Sequence, residues 1–443
     1  MRKHFVLLSL IALCMVLVAV PAFAGGQSKA TQACVACHSG TNPGIVQPWE
    51  NSAHYGAKVG CYECHQADSS DKDAFKHNGY TISIIVSPKD CGKCHSQEET
   101  QMTESHHAKA NKFAGSLDNV LGRVVTGEAN FDLGCSSCHG SDVIVGKGGK
   151  LVAGPWPNTG IGRLNPDGTN GACTACHMRH SFSIKQVREP KTCGKCHQGP
   201  DHPQIEIFEL SKHGIVYDSM KDQMNLDSSK WVLGEDYFEA PNCTTCHMGA
   251  TRQLESTHDV GARLHWTLRP KVSKPLPNAK ARRADMKKVC SECHQNNWTE
   301  GFFTQFDRYV ELYNDKFAKP SVAIMGFLKE NKVTDSTPFN EQVEIDFWHL
   351  WHHEGRRGRH GAAMMGPDWS HWHGMYEVAL NFYFHLIPHA DKAVMAKGDK
   401  ATQKKWDKFK GEILNRKEHK WQGGLEKKEL REIVDFYQKR YGK

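Results

Sequence analysis

The stretch CGKCHQGPDHPQ, residues 193–204, holds two cysteines three positions apart, a histidine directly after the second, and an Asp-His pair four residues further on. The same pentapeptide, CGKCH, recurs at 91–95, where SQEET follows and no Asp-His pair does, so the two halves of the stretch answer to different needs. The pentapeptide decides the fold. Thiols at i and i+3 project to one side of a single turn, where they can add to the two vinyl groups of a haem, and the adjoining histidine then reaches the iron as proximal ligand.

The chain holds seventeen cysteines, and all but Cys14 fall into eight C-x-x-C-H units. They are Cys34, Cys37 and His38; Cys61, Cys64 and His65; Cys91, Cys94 and His95; and Cys135, Cys138 and His139. The second four are Cys173, Cys176 and His177; Cys193, Cys196 and His197; Cys243, Cys246 and His247; and Cys290, Cys293 and His294. Structural zinc needs four ligands and gives no reason for a histidine after every pair. Disulfides within one turn, repeated eight times, would build no framework, and a thioredoxin-like motif would need a βαβ pattern that is absent. The spacing predicts eight covalently attached haems.

The opening MRKHFVLLSLIALCMVLVAVPAFAGG has a basic start, an apolar run from Phe5 to Val20 and an Ala22-Phe23-Ala24 ending, the layout of a signal peptide over 1–24. Export to the periplasm and a chain soluble after cleavage are expected, because no later segment approaches the roughly 20 apolar residues that cross a bilayer. The formal charge of +7 is concentrated in the tail, where residues 397–443 hold fifteen Lys plus Arg against eight Asp plus Glu. Once Arg2 and Lys3 leave with the signal peptide, the rest of the mature chain is slightly acidic, and nucleic-acid binding is not expected.

The motifs occupy 34–294, about one per thirty residues, too little polypeptide for an apolar core around each. The expectation is a mainly α, multihaem cytochrome c fold: short helices and loops packed on macrocycles over 25–300, with a C-terminal α-helical region over 301–443. The segment GKGGKLVAGPWPNTGIGRLNPDGTNGA, 146–172, reads as irregular loop, either a solvated connector or the lining of a haem pocket. Beyond Trp298 the cysteines stop, and FTQFDRYVELYNDKFAK (303–319) and EQVEIDFWHLWHHEGRRGRH (341–360) show apolar residues at helical spacing. The same spacing in Trp406, Phe409 and Ile413, and in Leu430, Ile433, Val434 and Tyr437, predicts further packing helices.

Of twenty-seven histidines, one is in the expected signal peptide and eight are proximal, which leaves eighteen. An electron-transfer haem commonly takes a second histidine and a catalytic haem keeps that position open; counting alone does not say which is which. Taken together, SAHY before CYECH, the CTACHMRHSFS segment, CGKCHQGPDHPQ followed by SKHG, CTTCHM followed by THD, and the histidine- and aromatic-rich C-terminal region resemble the octahaem hydroxylamine oxidoreductase family. That resemblance implies seven bis-histidine haems and one open haem on the fourth motif, CSSCH. By local context it implies distal ligands His54, His77, His107, His180, His213, His258 and His360, with His106 adjoining His107. It also maps a catalytic Asp-His pair onto Asp201 and His202. An imidazole titrating near neutrality suits proton delivery to a nitrogen oxide, and a carboxylate can orient it. Alternatively Asp201 caps a helix that begins near Pro203.

Oxidising members of that family carry a tyrosine that cross-links to the catalytic haem, and the corresponding stretch here, RHGAAMMGPDWSHWHGMYE (359–377), has Trp369 and Trp372 in its place, with Tyr376 beyond. Members lacking the tyrosine resemble reductases, so the resemblance implies reduction of nitrite or hydroxylamine to ammonium. It implies a homotrimer as well. A periplasmic or membrane-bound cytochrome or quinol dehydrogenase is the expected electron donor. Two other readings stay open: hydroxylamine oxidation, and an electron conduit in which every haem is six-coordinate.

Overall fold

The computed structural model describes residues 26–115 and 120–442, so the expected signal peptide lies outside the described residues. The fold is mainly α, about 59% helical. Among the described residues regular sheet is reduced to two small pairs: antiparallel Phe75–His77 with Tyr80–Ile82, and parallel Val232–Leu233 with Ala250–Thr251.

The first haem motif lies on the 13-residue helix Lys29–Thr41 and the eighth at the end of the 13-residue helix Ala279–Ser291, while the other six sit on helices of about one turn whose starts are written locally. Ser87 and Asp90 form a reciprocal cap over Pro88–Gly92, where proline at the first position lacks only an N–H that has no helical partner. Asn242 caps Cys243–His247 by accepting from the Thr245 N–H at 2.9 Å. Such helices are too short to be stable alone and depend on what they pack against.

They do not pack against an apolar core of their own. The three clusters of buried apolar residues begin at Phe208, Phe303 and Tyr313, so among the described residues none forms in the segment that carries the first six motifs.

The C-terminal region is conventional by contrast. Helices Asn296–Leu312, Lys319–Glu330, Gln342–Trp348, Gly355–Ala363, Ile387–Lys397 and Lys400–Leu414 surround Phe317, Ile324, Leu328, Leu350, Phe382, Leu386 and Trp406, each no more than 2% exposed. Wider π-type turns, among them His349–Glu354, join several of them into longer rods. The packing expected of the final stretch fails: on the helix Lys427–Tyr441, Leu430, Ile433, Val434 and Tyr437 remain 43–57% exposed.

Two arginines are among the residues that tie the regions together. The guanidinium of Arg356 donates from Nε to Arg269 O at 2.8 Å, and that of Arg359 donates to Pro270 O at 3.1 Å and Ser273 Oγ at 2.5 Å. The 146–172 loop is not a free connector. It lies on the fourth motif, with Ile161 N donating to Cys138 O at 3.0 Å and Gly162 N to His139 O at 3.2 Å. A Cβ on Gly160 would stand 2.0 Å from Gly140 N, which is why glycine occupies that position.

Candidate haem-binding and active site

Two imidazoles on opposite faces of one iron, each nitrogen about 2 Å from the metal, hold their ring centroids roughly 6 Å apart. Five proximal histidines have a neighbouring imidazole at that spacing, and His197 has two, His107 at 6.0 Å and His202 at 6.1 Å. His38 faces His77 at 6.2 Å, His95 faces His54 at 6.2 Å, His177 faces His258 at 6.5 Å, and His294 faces His213 at 6.1 Å. His180 lies beside His65. His107 lies beside His247 and 6.0 Å from His197, and His360 is buried beside His197 and His202. The exposed His106 is outside this set. The ring spacings and the sixteen free thiols therefore fit haem on the C-x-x-C-H units.

Ligation needs a neutral imidazole. Burial, reinforced by a neighbouring imidazole, pushes His107 and His177 down to about 4 and His197 down to about 3. Burial and then the Arg359 cation hold His360 well below the usual histidine range.

The thiols also show which motifs are neighbours. Cys34 lies by Cys61, Cys64 by Cys91, Cys91 against Cys173, Cys176 by Cys193, Cys193 against Cys243, and Cys246 by Cys290. The fourth motif joins this run from the side, because Cys138 lies against Cys196 of the sixth. Order in space thus departs from order in sequence at the fourth motif alone.

That contact brings the Asp-His pair to the fourth motif. The helix Pro190–Gly194 ends at the sixth motif, and the next helix, Gln204–Leu210, starts from Pro203, so the chain makes a tight turn through Asp201 and His202. Asp201 does not cap that helix. Its carboxylate instead accepts from Arg356 Nη1 at 3.0 Å through Oδ2, while Oδ1 stands 3.6 Å from His202 Nε2. The imidazole of His202 lies near Cys138 and 6.1 Å from the His197 ring, and its Nδ1 is buried with no hydrogen-bond partner. A buried nitrogen without a partner is costly unless a ligand or water meets it.

Trp372 and Tyr376 stand on the surface, 55% and 48% exposed and 5.1 Å apart, whereas the Trp369 Nε1 is buried. Arg356 and His352, which reach Asp201 from the C-terminal region, were not singled out by sequence reasoning. They lie within HLWHHEGRRGRH, 349–360, where the helical period of apolar residues drew the reading toward packing alone.

The family described as "Seven times multi-haem cytochrome CxxCH" matches residues 166–330. A curated relative, the probable nitrite reductase-hydroxylamine oxidoreductase fusion protein of Kuenenia stuttgartiensis, is 29% identical over 228 residues, which is 48% of this chain. These matches mark the chain as a multihaem c-type cytochrome similar to proteins of the hydroxylamine oxidoreductase family. A high-molecular-weight cytochrome c of Nitratidesulfovibrio vulgaris is 24% identical over 43% of this multihaem cytochrome. The matches span 25% and 33% of those two relatives' own lengths. A solved structure described as "Hypothetical multiheme protein" superposes with TM-score 0.72 at 25% identity, over 87% of this chain and 97% of the other. The reducing HAO-like protein complex of Kuenenia stuttgartiensis shares the fold with TM-score 0.62 at 18% identity, over 84% of this chain and 87% of the other.

Proposed function

We propose that this multihaem cytochrome is a periplasmic, homotrimeric octahaem reductase that converts nitrite, hydroxylamine or both to ammonium. The carrying observation is the placement of Asp201 and His202: a turn that follows the sixth motif delivers its imidazole to the fourth, with a buried Nδ1 that has no protein partner. A haem on Cys135, Cys138 and His139 with an open distal side supplies substrate binding and electron transfer. Everything else on that side falls to the polypeptide. His202 holds a proton at Nδ1 for a substrate oxygen, and the Asp201 carboxylate, 3.6 Å from Nε2, keeps the ring turned by its charge. Arg356 balances the charge of the Asp201 carboxylate, to which it donates at 3.0 Å. The 146–172 loop, closed on Cys138 and His139 through Ile161 and Gly162, excludes water from the proximal side. The other seven motifs, with their paired histidines, form the relay that a multi-electron reduction needs, fed by a periplasmic or membrane-bound cytochrome or quinol dehydrogenase.

The names of the fusion relative and of the reducing complex both favour this chemistry over a conduit. The test is steady-state turnover of the purified, haem-loaded protein with nitrite and with hydroxylamine, using a reduced viologen as donor, and in the oxidative direction with an artificial acceptor. Reductive turnover is expected to exceed oxidative turnover. Protein that reduces neither substrate returns the molecule to the conduit class.

A further inference from the structure

We infer that Arg356 and His352 are positioning residues for the Asp201–His202 pair, holding it from the C-terminal region as a fixed four-residue unit; this rests on the reading that the pair delivers protons. Both side chains are buried, at 5% and 6% exposure. They are four residues apart across the junction of the His349–Glu354 π-type turn and the Gly355–Ala363 helix, which places them on one face.

The hydrogen bonds define the protonation pattern. Arg356 Nη1 has two hydrogens; one goes to Asp201 Oδ2 at 3.0 Å and the other to His352 Nε2 at 2.9 Å. An arginine only donates, so His352 Nε2 accepts and its ring proton sits on Nδ1. That Nδ1 faces the same Asp201 Oδ2 at 3.9 Å. Arg356 therefore bonds one carboxylate oxygen, with His352 Nδ1 3.9 Å from it and outside hydrogen-bond distance, and the other, Oδ1, stands 3.6 Å from His202 Nε2. Neither is free to swing away. Trp348 stacks on the His352 ring at 4.5 Å and 19°, and Arg356 is held by Arg269 O at 2.8 Å with its guanidinium 5.0 Å over Trp351.

The charges give this unit a purpose that a plain structural bridge would lack. Asp201 sets a carboxylate beside His202, and Arg356 is the cation bonded to that carboxylate. Arg356 cancels that charge while leaving Oδ1 in place to orient the ring. Other charged or titratable groups that face the unit include His353 and Arg357 beside Asp201, His349 beside His352, Tyr313 and Arg359 beside Arg356, and His197 and His360 around His202. Of these, the arginines stay cationic, and burial favours the neutral form of His197, His353 and His360.

The experiment compares Arg356→Gln, Arg356→Lys, His352→Asn and His352→Leu at full haem content. Removing a partner of this kind costs about 10- to 100-fold in turnover, and Arg356→Gln is expected to do so. Its pH profile is expected to move as well, with the alkaline limb shifted to higher pH, because the pair loses an adjacent cation. Arg356→Lys keeps the charge, so its limb is expected to stay in place while its rate falls. His352→Asn keeps an N–H where Nδ1 stood and is expected to recover part of the rate that His352→Leu loses. An independent readout, spectropotentiometry of the substrate-free protein, is expected to show the pH dependence of the haem potentials displaced in Arg356→Gln and unchanged in Arg356→Lys. If Arg356→Gln does not accumulate as folded protein, the His352 pair decides. Wild-type pH and potential profiles in Arg356→Gln, or equal rates in His352→Asn and His352→Leu, overturn the inference. If wild-type protein turns over neither substrate, the functional reading fails alone, since the potential profile still reports on the unit.

Discussion

Replacing Asp201 with asparagine tests the site with the smallest change in shape. In the wild-type protein Asp201 Oδ2 accepts from Arg356 and Oδ1 faces His202 Nε2 at 3.6 Å, so the carboxylate favours a proton on Nε2 and Nδ1 is the buried atom without a hydrogen-bond partner. Asparagine has one oxygen. Arg356 only donates and takes it, which turns the amide NH2 toward His202. Nε2 must then accept, and an imidazole whose Nε2 accepts a hydrogen bond cannot also carry the second proton that delivery requires. The variant thus traps the ring in one neutral form. Loss of a general acid costs about 10² to 10⁴ in rate, and the wrong histidine tautomer in a protease triad costs about 10⁴. The structure sets the expected loss at about 10²-fold or more, which is about 2.7 kcal/mol of transition-state stabilisation. His202→Ala, which removes the ring, should lose at least as much. Turnover is measured per haem, with content fixed by the pyridine haemochrome spectrum, since neither residue belongs to a C-x-x-C-H unit. Asp201→Asn protein with a full haem complement and turnover within about threefold of wild type would refute the proton-delivery argument.

Trp406→Ala removes an indole that is 0% exposed and whose Nε1 donates to Asp391 Oδ1 at 2.6 Å; it should cost about 3–5 kcal/mol, seen as a lower thermal midpoint and early proteolysis near the C-terminus with haem content unchanged. Burial raises Glu354 from its ordinary value of 4.5 to about 7, against lowering by the hydrogen bonds from Asn381. The folded state thus binds more protons than the unfolded chain between those values, so stability from this group is present at low pH and lost as pH rises from about 4.5 to about 7. Glu354→Gln should flatten the fall in thermal midpoint over that window, and an unchanged slope would count against it. Deleting 425–443, which carries the exposed apolar face of the last helix, should leave the thermal midpoint and the haem spectrum unchanged; a large loss in either would show that this helix is packed in the native protein.

What was legible in the sequence follows from the range of each interaction. A C-x-x-C-H unit is complete within five residues, so its chemistry reads directly off the spacing, and the fold class follows from having no apolar core to set against eight of them. The second ring over each haem is different. His54 meets His95, His77 meets His38 and His258 meets His177, separations with no common period and different directions along the chain, so only resemblance proposed them and only the folded chain brings them together. The 146–172 segment shows the same limit from the other side. Its glycines read as looseness, yet Gly160 and Gly162 are there because backbone passes too close to Gly140 and His139 for a side chain.

The Asp-His pair shows why local rules fail first at a working site. Asp-x-Pro before an apolar run is a sound helix-start signal, and an aspartate free to choose would cap the helix it precedes. Asp201 forgoes that bond for a guanidinium 155 positions away, and Pro203 starts the helix without a side-chain cap. The forgone cap is worth about 1 kcal/mol, whereas separating a buried carboxylate from its cation costs about 3–5 kcal/mol. The tertiary ion pair therefore wins over the local bond. Likewise the period of Val343, Phe347 and Leu350 truthfully reported a buried apolar face on the 342–363 rod. It was silent about His352 and Arg356, because a side chain that reaches across to another segment leaves no periodic trace on its own helix. A long-range carboxylate anchor thus belongs where a local cap would otherwise suffice, and the departure from the capping rule at Asp201 is itself a reason to look for chemistry there.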